Sequence, residues 1–460
     1  MDGRRRRIAR IAFVAAWFVA LGLALKAGST APETGPEHLI ALLSMAYLAA
    51  WGPFFLLSGR GSAARAARFA ACSASLHLGL SLFELPAAVG LIDYRTVFRT
   101  PTPAWKRPGN RPDPDLVFVR EGHRRDRLRF LGADRNRLRG ATSPGPVYEC
   151  DLKTDRNGFR NPVDLARADV VILGDSFIEG LQVAAPDLVS ARLADRLGCT
   201  VANLGRTGYG PQQEGHVLRR FGLGLYPKTC VWAFYEGNDL QDVAMYDADR
   251  SRAGRARPES TTSAWYTRSL IRNGLACLIR TRIHPEPTLL ATRHAGRFAG
   301  RSDVYFSCGV HEGETLPEDR ETSKELARFR SILAEARDAC DRAGVDLVVA
   351  FVPAKFRVYR DFCTFGPDSP CRDWPIDNLP AAVGQAVAAV SPEVGFLDLT
   401  PRFRAEAAAG AMPYLADDTH WSAEGHQAAA QALGDYLAGR PDRDQATTRA
   451  RLVREVPDRR

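Results

Sequence analysis

Short apolar runs alternate with amphipathic segments between residues 168 and 437. The runs are rich in β-branched residues, as in strands that are buried on both faces. The predicted strands are Val170–Leu173, Thr200–Leu204, Cys230–Tyr235, Val345–Val352 and Val394–Leu399. The segments between them repeat apolar residues at helical spacing, and the predicted helices are Asp187–Leu197, Gln212–Phe221, Glu325–Ala343, Asn378–Val390 and Ser422–Leu437. This alternation predicts an α/β fold with a mostly parallel open sheet and helices on both faces.

Three longer apolar runs precede this domain, at Ile11–Leu25, Leu39–Leu57 and Phe69–Ile92. Because about 20 apolar residues cross a bilayer, we expect three transmembrane helices before the α/β domain. The first run has a signal peptide as its alternative. Arginines before the first run and between the second and third favour a cytoplasmic amino terminus. Three crossings then place the chain after about Tyr94 outside the cytoplasm, as in the periplasm beyond a bacterial inner membrane. Glu84 is expected near the far membrane interface, with contact to other helices or a partner as the alternative.

These patterns divide the chain into four parts. The region after the apolar runs is rich in Pro, Arg and Asp, with possible short strands at Val117–Val119 and Arg127–Leu131. The last residues are charged and poor in apolar side chains, which predicts disorder. The expected parts are a membrane anchor at 1–94, an irregular leader at 95–167, the α/β domain at 168–438 with an insertion at about 244–318, and a disordered tail at 439–460.

The composition excludes several classes of function. The chain of 460 residues has a formal net charge of +9, but arginines cluster at Arg4–Arg7 and no nucleic-acid-reading motif is present, so we expect no nucleic-acid partner. It lacks C-x-x-C and H-E-x-x-H motifs, so we expect neither a metal nor a cofactor. An oxidising compartment favours disulfides among the nine cysteines. The candidate pairs are Cys363 with Cys371 and Cys199 with Cys230, free thiols being the alternative.

Polar residues follow the ends of the predicted strands. Gly174-Asp175-Ser176 follows the first strand, Gly205–Gly210 the second, and Asn238 and Asp239 the third, while Asp417–His420 lies beyond the fifth. Since the carboxyl ends of parallel strands share one edge of a sheet, these groups converge on one crevice. Acyl transfer needs this set: a serine attacks, a histidine takes its proton, a carboxylate orients the imidazole, and N–H groups receive the oxyanion.

The set G-D-S-F, N-L-G-R-T-G, G-N-D and D-D-T-H resembles the SGNH/GDSL hydrolase superfamily in order and spacing, over slightly more than half of the chain. The resemblance implies that Ser176 is the nucleophile and His420 the general base. It also implies an oxyanion hole formed by the Ser176 N–H, the Gly208 N–H and the Asn238 side-chain amide. Gly208 is preferred to Gly205 because it lies five residues after Asn203, which is the position of the glycine in this family.

The triad acid has two candidates. The usual D-x-x-H spacing of the superfamily implies Asp417. The D-T-H-W form, with V-P-A-K-F-R-V-Y at Val352–Tyr359, is also similar to alginate O-acetyltransferase-type proteins, whose acid lies two residues before the histidine, here Asp418. Asp417 is preferred because the serine-first order is that of ordinary SGNH enzymes. Lys355 is expected to be solvated, with contact to an anionic substrate as the alternative, and His426 is expected to be structural.

These features predict a membrane-anchored, extracytoplasmic serine esterase of the acetylesterase or lipase kind. It would act through an acyl-enzyme on an acylated glycan or lipid. The first alternative is an O-acyltransferase that acylates a cell-surface or secreted polysaccharide, with a membrane acyltransferase as its partner. The second is a non-catalytic glycan-binding scaffold. The sequence does not separate hydrolysis from transfer, because the same triad serves both and water exclusion selects the acceptor.

Overall fold

A computed structural model of the chain describes residues 81–98, 109–132, 147–254, 268–278, 294–300, 302–306 and 320–440, with a few isolated positions between 71 and 107. The chain divides into two compact units. The first comprises residues 1–101 and 257–287, and the second comprises residues 102–256 and 288–460.

The described strands and helices follow in chain order. The strands are β1 (Asn110–Asp113), β2 (Val117–Arg120), β3 (Arg125–Leu131), β4 (Val147–Lys153), β5 (Val170–Gly174), β6 (Val201–Gly205), β7 (Thr229–Tyr235), β8 (Ala295–Phe298), β9 (Ser302–Tyr305), β10 (Asp346–Val352), β11 (Cys363–Phe365) and β12 (Gly395–Asp398). The helices are α1 (Tyr94–Val97), α2 (Ser176–Glu179), α3 (Val189–Leu197), α4 (Pro211–Val217), α5 (Asp239–Gly254), α6 (Leu270–Leu278), α7 (Lys324–Ala343), α8 (Lys355–Tyr359), α9 (Leu379–Val390), α10 (Thr400–Ala408) and α11 (Ala423–Ala438).

The expectation of three transmembrane helices is wrong for the part of the chain that the structure describes. No helix among those residues is both long and apolar enough to cross a membrane. The runs Ile11–Leu25 and Leu39–Leu57 lie outside the described residues. The run Phe69–Ile92 is described only in part.

Glu84, in the first unit, contacts the start of α6. Its carboxylate accepts hydrogen bonds from the backbone N–H groups of Leu270 (3.1 Å) and Ile271 (2.6 Å) and from the hydroxyl of Ser269 (2.9 Å). The first N–H groups of a helix have no partner within it, and a carboxylate there also complements the positive end of the helix dipole. Glu84 therefore contacts another helix, which was the alternative expectation for it.

The second unit is built on a five-stranded sheet with the order β12-β10-β7-β5-β6. Every neighbouring pair in it is parallel, which confirms the predicted parallel α/β sheet. Alternate side chains along a strand point to opposite faces. Leu173 and Trp232 therefore join one apolar core, whereas Ile172 and Val231 join the other. Helices pack on both faces, and all five strand ends meet at one edge as predicted.

The region expected to be an irregular leader contains four strands. β1 pairs with β2, and β3 pairs with β4, in two antiparallel hairpins. The hydroxyl of Tyr209, in the loop after β6, donates to the carbonyl of Phe118 on β2 at 2.7 Å. The hairpins thus belong to the same compact unit as the sheet and reach the loops at its carboxyl edge. The insertion expected from about residue 244 begins with helix instead, because α5 runs to Gly254.

Neither candidate disulfide is formed in the described part of the chain. Cys199 precedes β6 and Cys230 lies on β7, but β5 separates these two strands. The Cys230 thiol instead hydrogen-bonds with Cys340 of α7, and burial raises its pKa. Cys363 carries a free thiol, so it is not bonded to Cys371.

Candidate active site

Ser176 stands on a tight turn between β5 and α2. Gly174 has a φ of 155°, and a Cβ there would meet Ile178 Cγ1 at 2.5 Å, so the turn requires glycine. The carboxylate of Asp175 caps the helix by accepting the Phe177 N–H at 2.9 Å. As the first residue of the helix, Ser176 presents a backbone N–H that has no partner within the helix. The turn therefore exposes both a hydroxyl and an N–H donor at the sheet edge.

His420 links this serine to a carboxylate. Its Nε2 lies 2.7 Å from the Ser176 Oγ, and its Nδ1 lies 2.5 Å from the Asp418 Oδ1. The same Asp418 oxygen accepts the backbone N–H of His420 at 3.0 Å. With the carboxylate facing Nδ1, the ring proton is held there, and the Nε2 lone pair faces the serine hydroxyl. This is the arrangement that a general base needs in order to activate a serine.

Asp417, the preferred acid of the sequence analysis, faces away from the imidazole. Its Oδ1 accepts a hydrogen bond from the hydroxyl of Tyr148 on β4. Gly132 lies so close that a Cβ on it would meet the Asp417 Cγ at 2.5 Å. Burial raises the pKa of Asp417, and the Tyr148 bond lowers it by less. Asp418, the alternative candidate, is the one in contact with His420, because its bond to the N–H two residues later brings its carboxylate beside the ring.

The loop after β6 presents the second candidate oxyanion donor. Gly208 has a φ of 82°, in the left-handed region that favours glycine. The Gly205 N–H donates to Asn203 Oδ1 at 3.0 Å. Among the described residues, the N–H of Gly208 has no protein acceptor. The geometry is therefore consistent with Gly208, and not Gly205, as the donor to an oxyanion.

A buried carboxylate that the sequence analysis missed holds this loop. Glu179, at the end of α2, is fully buried and accepts hydrogen bonds from the N–H (2.8 Å) and the hydroxyl of Thr207. It also pairs with Arg206 at 3.0 Å and with Arg120 of β2. Burial acts to raise the pKa of Glu179, but the two arginines and Thr207 outweigh it and lower it to about 2. The only local sequence signal for Glu179 is that an acidic residue stands in an apolar segment, one helical turn after the candidate nucleophile.

Asn238, the third candidate donor, lies between β7 and α5. Its Nδ2 donates to Asp242 Oδ2 at 2.8 Å, which leaves its second proton for another acceptor. Burial, and then the nearby Asp175, raise the pKa of Asp242 to about 8. Asp239 braces the loop, because its Oδ2 accepts the Tyr235 N–H at 2.9 Å.

Glu236 connects the loop between β7 and α5 to the end of β10. Its buried carboxylate accepts the Ala354 N–H at 2.7 Å and the Nε of Arg357 at 2.8 and 2.9 Å. Arg320 lies 3.3 Å away on the same carboxylate. The ends of the third and fourth strands are thus joined by charge-assisted hydrogen bonds, which are stronger than neutral ones.

Lys355 and His426, for which the sequence analysis gave expectations, are buried, and so is Trp421. Lys355 is fully buried, so the expectation of a solvated lysine is wrong. Trp421 packs edge-on against Phe177 at 5.3 Å between ring centroids and belongs to the core. His426 is structural, as expected: its Nδ1 accepts the Val189 N–H at 3.1 Å, and burial lowers its pKa to about 3.

A cavity of about 140 Å³ adjoins Thr207 on the side of the hairpins. Arg107, Arg120, Arg124 and Arg206 contribute to its lining, together with an equal number of apolar side chains. Among the described residues, no cluster of His, Cys, Asp and Glu is arranged to hold a metal ion.

Residues 311–460 match the family model described as "SGNH hydrolase-like domain, acetyltransferase AlgX". The chain carries an SGNH-type domain related to AlgX. This confirms the predicted superfamily and, at the level of class, an SGNH hydrolase or O-acyltransferase. The match covers about a third of the chain and includes Asp418 and His420 but not Ser176. Comparison with curated protein sequences finds no match.

Several solved structures are similar at low identity. They include a catalytic mutant of an acetylxylan esterase from Geobacillus stearothermophilus (13% identity, 58% of this chain and 93% of that one, TM-score 0.31). A lipase/acylhydrolase from Enterococcus faecalis shares 14% identity over 59% of this chain and 95% of that one, with a TM-score of 0.29. A carbohydrate esterase family 2 enzyme from Corynascus thermopiles (Myceliophthora fergusii) shares 11% identity over 64% and 71%, with a TM-score of 0.29. Similarity at this level does not carry an activity over to this chain.

Proposed function

We propose that this chain is a serine-dependent O-acyltransferase that moves a small acyl group, such as acetyl, onto a carbohydrate hydroxyl. The observation that carries the proposal is the contact chain from Ser176 Oγ through both ring nitrogens of His420 to Asp418, at 2.7 and 2.5 Å. A non-catalytic scaffold does not need a histidine that contacts a serine through one ring nitrogen and a carboxylate through the other.

In the first half of the reaction, His420 Nε2 takes the proton of Ser176 as the serine Oγ bonds to the acyl carbon. The negative charge that develops on the acyl oxygen is received by the N–H groups of Ser176 and Gly208 and by the Asn238 amide. The tetrahedral intermediate then expels the donor alcohol, which takes its proton from His420. An acyl group remains on the serine.

In the second half, the acceptor hydroxyl gives its proton to His420 Nε2 and attacks the acyl carbon. The serine oxygen leaves and recovers a proton from the imidazolium. Water in place of the acceptor gives hydrolysis, so esterase activity is the second candidate, and the same triad supports it.

Three observations favour transfer to a carbohydrate. The acid in contact with His420 lies two residues before it, which is the spacing of the alginate O-acetyltransferase-type proteins that the D-T-H-W form resembles. The matched family model is also named for an acetyltransferase. The cavity beside Thr207 is lined by four arginines, and guanidinium donors suit a hydroxyl-rich or acid-bearing chain better than a lipid tail.

The test is turnover of a small chromogenic acetyl ester by the full chain, with and without oligosaccharide acceptors. Mass spectrometry of the acceptor then measures transfer, and free acetate measures hydrolysis. Ser176→Ala should abolish both products, whereas Ser331→Ala, an exposed serine of α7, should change neither. Turnover that survives in Ser176→Ala would contradict the mechanism, and acetate without acylated acceptor would favour the esterase. The membrane acyltransferase as acyl donor and the placement outside the cytoplasm stay predictions.

A further inference from the structure

Lys355 is a fully buried lysine beside the loop that carries Asp418 and His420. It follows β10 by three residues and begins α8. Lysines are almost never fully buried unless their charge is compensated. Its position therefore requires partners that a solvent-exposed lysine does not need.

Backbone carbonyls provide these partners. The Lys355 Nζ donates to the carbonyl oxygens of Tyr305 (2.6 Å), Ala416 (3.1 Å) and Asp418 (3.1 Å). An ammonium has three donor protons and can serve all three acceptors at once. The ring of Phe306 also lies 5.7 Å from Nζ, within cation–π range. A substrate anion would have to displace these bonds, so the geometry does not fit the alternative of a substrate contact.

Two of the three carbonyls belong to the loop of the candidate triad. The loop is closed at its base by the bridge between Tyr414 and Trp421, and its Ala416 carbonyl also accepts the Tyr305 N–H at 2.7 Å. Lys355 thus holds the loop through its backbone carbonyls. At Asp418, the carbonyl is bound to Lys355 while the carboxylate is bound to His420, so the lysine fixes the backbone from which the carboxylate extends.

Ala354, the residue before Lys355, holds the other loop of the site, which carries Asn238. The Ala354 N–H donates to Glu236 at 2.7 Å, and Glu236 lies two residues before the candidate oxyanion donor Asn238. The adjacent pair Ala354 and Lys355 therefore connects both loops of the site to the end of β10.

We propose that Lys355 is a positioning residue, whose buried ammonium holds the 416–420 loop so that Asp418 and His420 are aligned on Ser176. The inference rests on the proposed function for its effect on turnover, but the alignment itself can be observed without turnover. Lys355 touches no reacting atom.

The experiment compares Lys355→Met, which keeps most of the length of the side chain and removes its charge and donors, with Lys324→Met on α7. The Lys324 side chain is 91% exposed, so its substitution is the matched control. Because a misplacement of about 1 Å costs about 10²-fold in rate, we expect kcat of Lys355→Met to fall by about 10²-fold with KM unchanged. A KM that rises while kcat holds would overturn the proposal, as would a kcat equal to that of Lys324→Met.

The second readout is the strongly deshielded NMR signal expected from the proton between His420 Nδ1 and Asp418, assigned by its loss in Asp418→Asn. It should be present in the wild type and in Lys324→Met, and lost or shifted upfield in Lys355→Met. If Lys355→Met does not fold, Lys355→Gln takes its place. Glutamine has no charge and is one atom too short to reach the three carbonyls, so the signal should still be lost or shifted, and an unchanged signal would overturn the proposal. If Ser176→Ala keeps full turnover, the proposed function fails, and this signal alone decides the role of Lys355.

Discussion

The Asp418 Oδ1 lies 2.5 Å from His420 Nδ1 and also accepts the backbone N–H of the same histidine at 3.0 Å. The carboxylate is therefore fixed by a local turn as well as by the ring it orients. Its neighbour Asp417 is bound to Tyr148 of the β3–β4 hairpin. The two adjacent aspartates thus have different contacts: Asp418 orients the histidine that contacts Ser176, and Asp417 binds the hairpin.

Substitution of these acids should separate the two tasks. Asp418→Asn removes the carboxylate that holds the Nδ1 proton, so we expect kcat to fall by about 10⁴-fold, as the wrong tautomer does in a serine triad. Asp417→Asn keeps an acceptor for Tyr148 and should reduce kcat far less. Steady-state kinetics on a chromogenic acetyl ester measures both. An Asp417→Asn variant that is the more damaged of the two would reverse the assignment of the triad acid.

Asn238→Ala tests the candidate oxyanion hole. Loss of one donor to the developing charge should lower kcat by about 10² to 10³-fold while substrate binding changes little. Asn157→Ala, an exposed asparagine of the leader, serves as the control, and both variants should unfold at similar urea concentrations. A fall in kcat/KM that came entirely from KM would indicate a substrate contact instead.

Asp242 should make the activity sensitive to alkaline pH. Burial and the nearby Asp175 raise its pKa to about 8, so it is neutral at pH 7 and becomes charged as the pH rises through 8. A negative charge on the partner of Asn238 opposes a second negative charge on the acyl oxygen. We expect kcat to decline above about pH 8 in the wild type and to lose this decline in Asp242→Asn. A pH profile identical in the two proteins would contradict the assignment.

The same group has a predictable effect on stability. Because its pKa is raised above the unfolded value of 3.8, its contribution is fully present below pH 3.8 and is lost as the pH rises towards 8. Urea unfolding of Asp242→Asn should therefore depend less on pH across this window than unfolding of the wild type does.

The contribution of Glu179 to stability should depend on pH in the opposite direction. Its pKa is lowered to about 2, so its stabilising contribution is present above the unfolded value of 4.5 and is lost as the pH falls towards 2. Glu179→Gln leaves Arg120 and Arg206 with an uncompensated buried charge, and we expect a loss of about 3–5 kcal/mol in the free energy of unfolding at pH 7. Urea denaturation at pH 7 and pH 3 measures it, and the difference from wild type should shrink at the lower pH. A difference that stays constant with pH would argue against the ion pairs as its cause.

The order of the elements and the convergence of the motifs were predictable from the sequence. Buried parallel strands are continuous apolar runs, and β5, β6, β7, β10 and β12 begin and end within one or two residues of their predicted bounds. Since parallel strands place all their carboxyl ends at one edge, the placement of the loops with Ser176, Gly208 and Asn238 at that edge followed from chain order alone.

Apolar composition was a poor guide outside the sheet. The run over Phe69–Ile92 satisfied a count of apolar residues, but such a count does not register that Glu84 binds the start of α6. In the same way, a count of cysteines does not reveal which strands are neighbours, and β5 separates Cys199 from Cys230.

Only the tertiary structure decided which aspartate faces His420, where Lys355 directs its ammonium, and that Glu179 binds an arginine 59 residues earlier in the chain. Sequence motifs give spacing along the chain. A hydrogen bond depends on direction and on distances of about 3 Å in space. Asp417 and Asp418 are one residue apart and chemically identical, so the Tyr148 hydroxyl on one side and the imidazole on the other make them different.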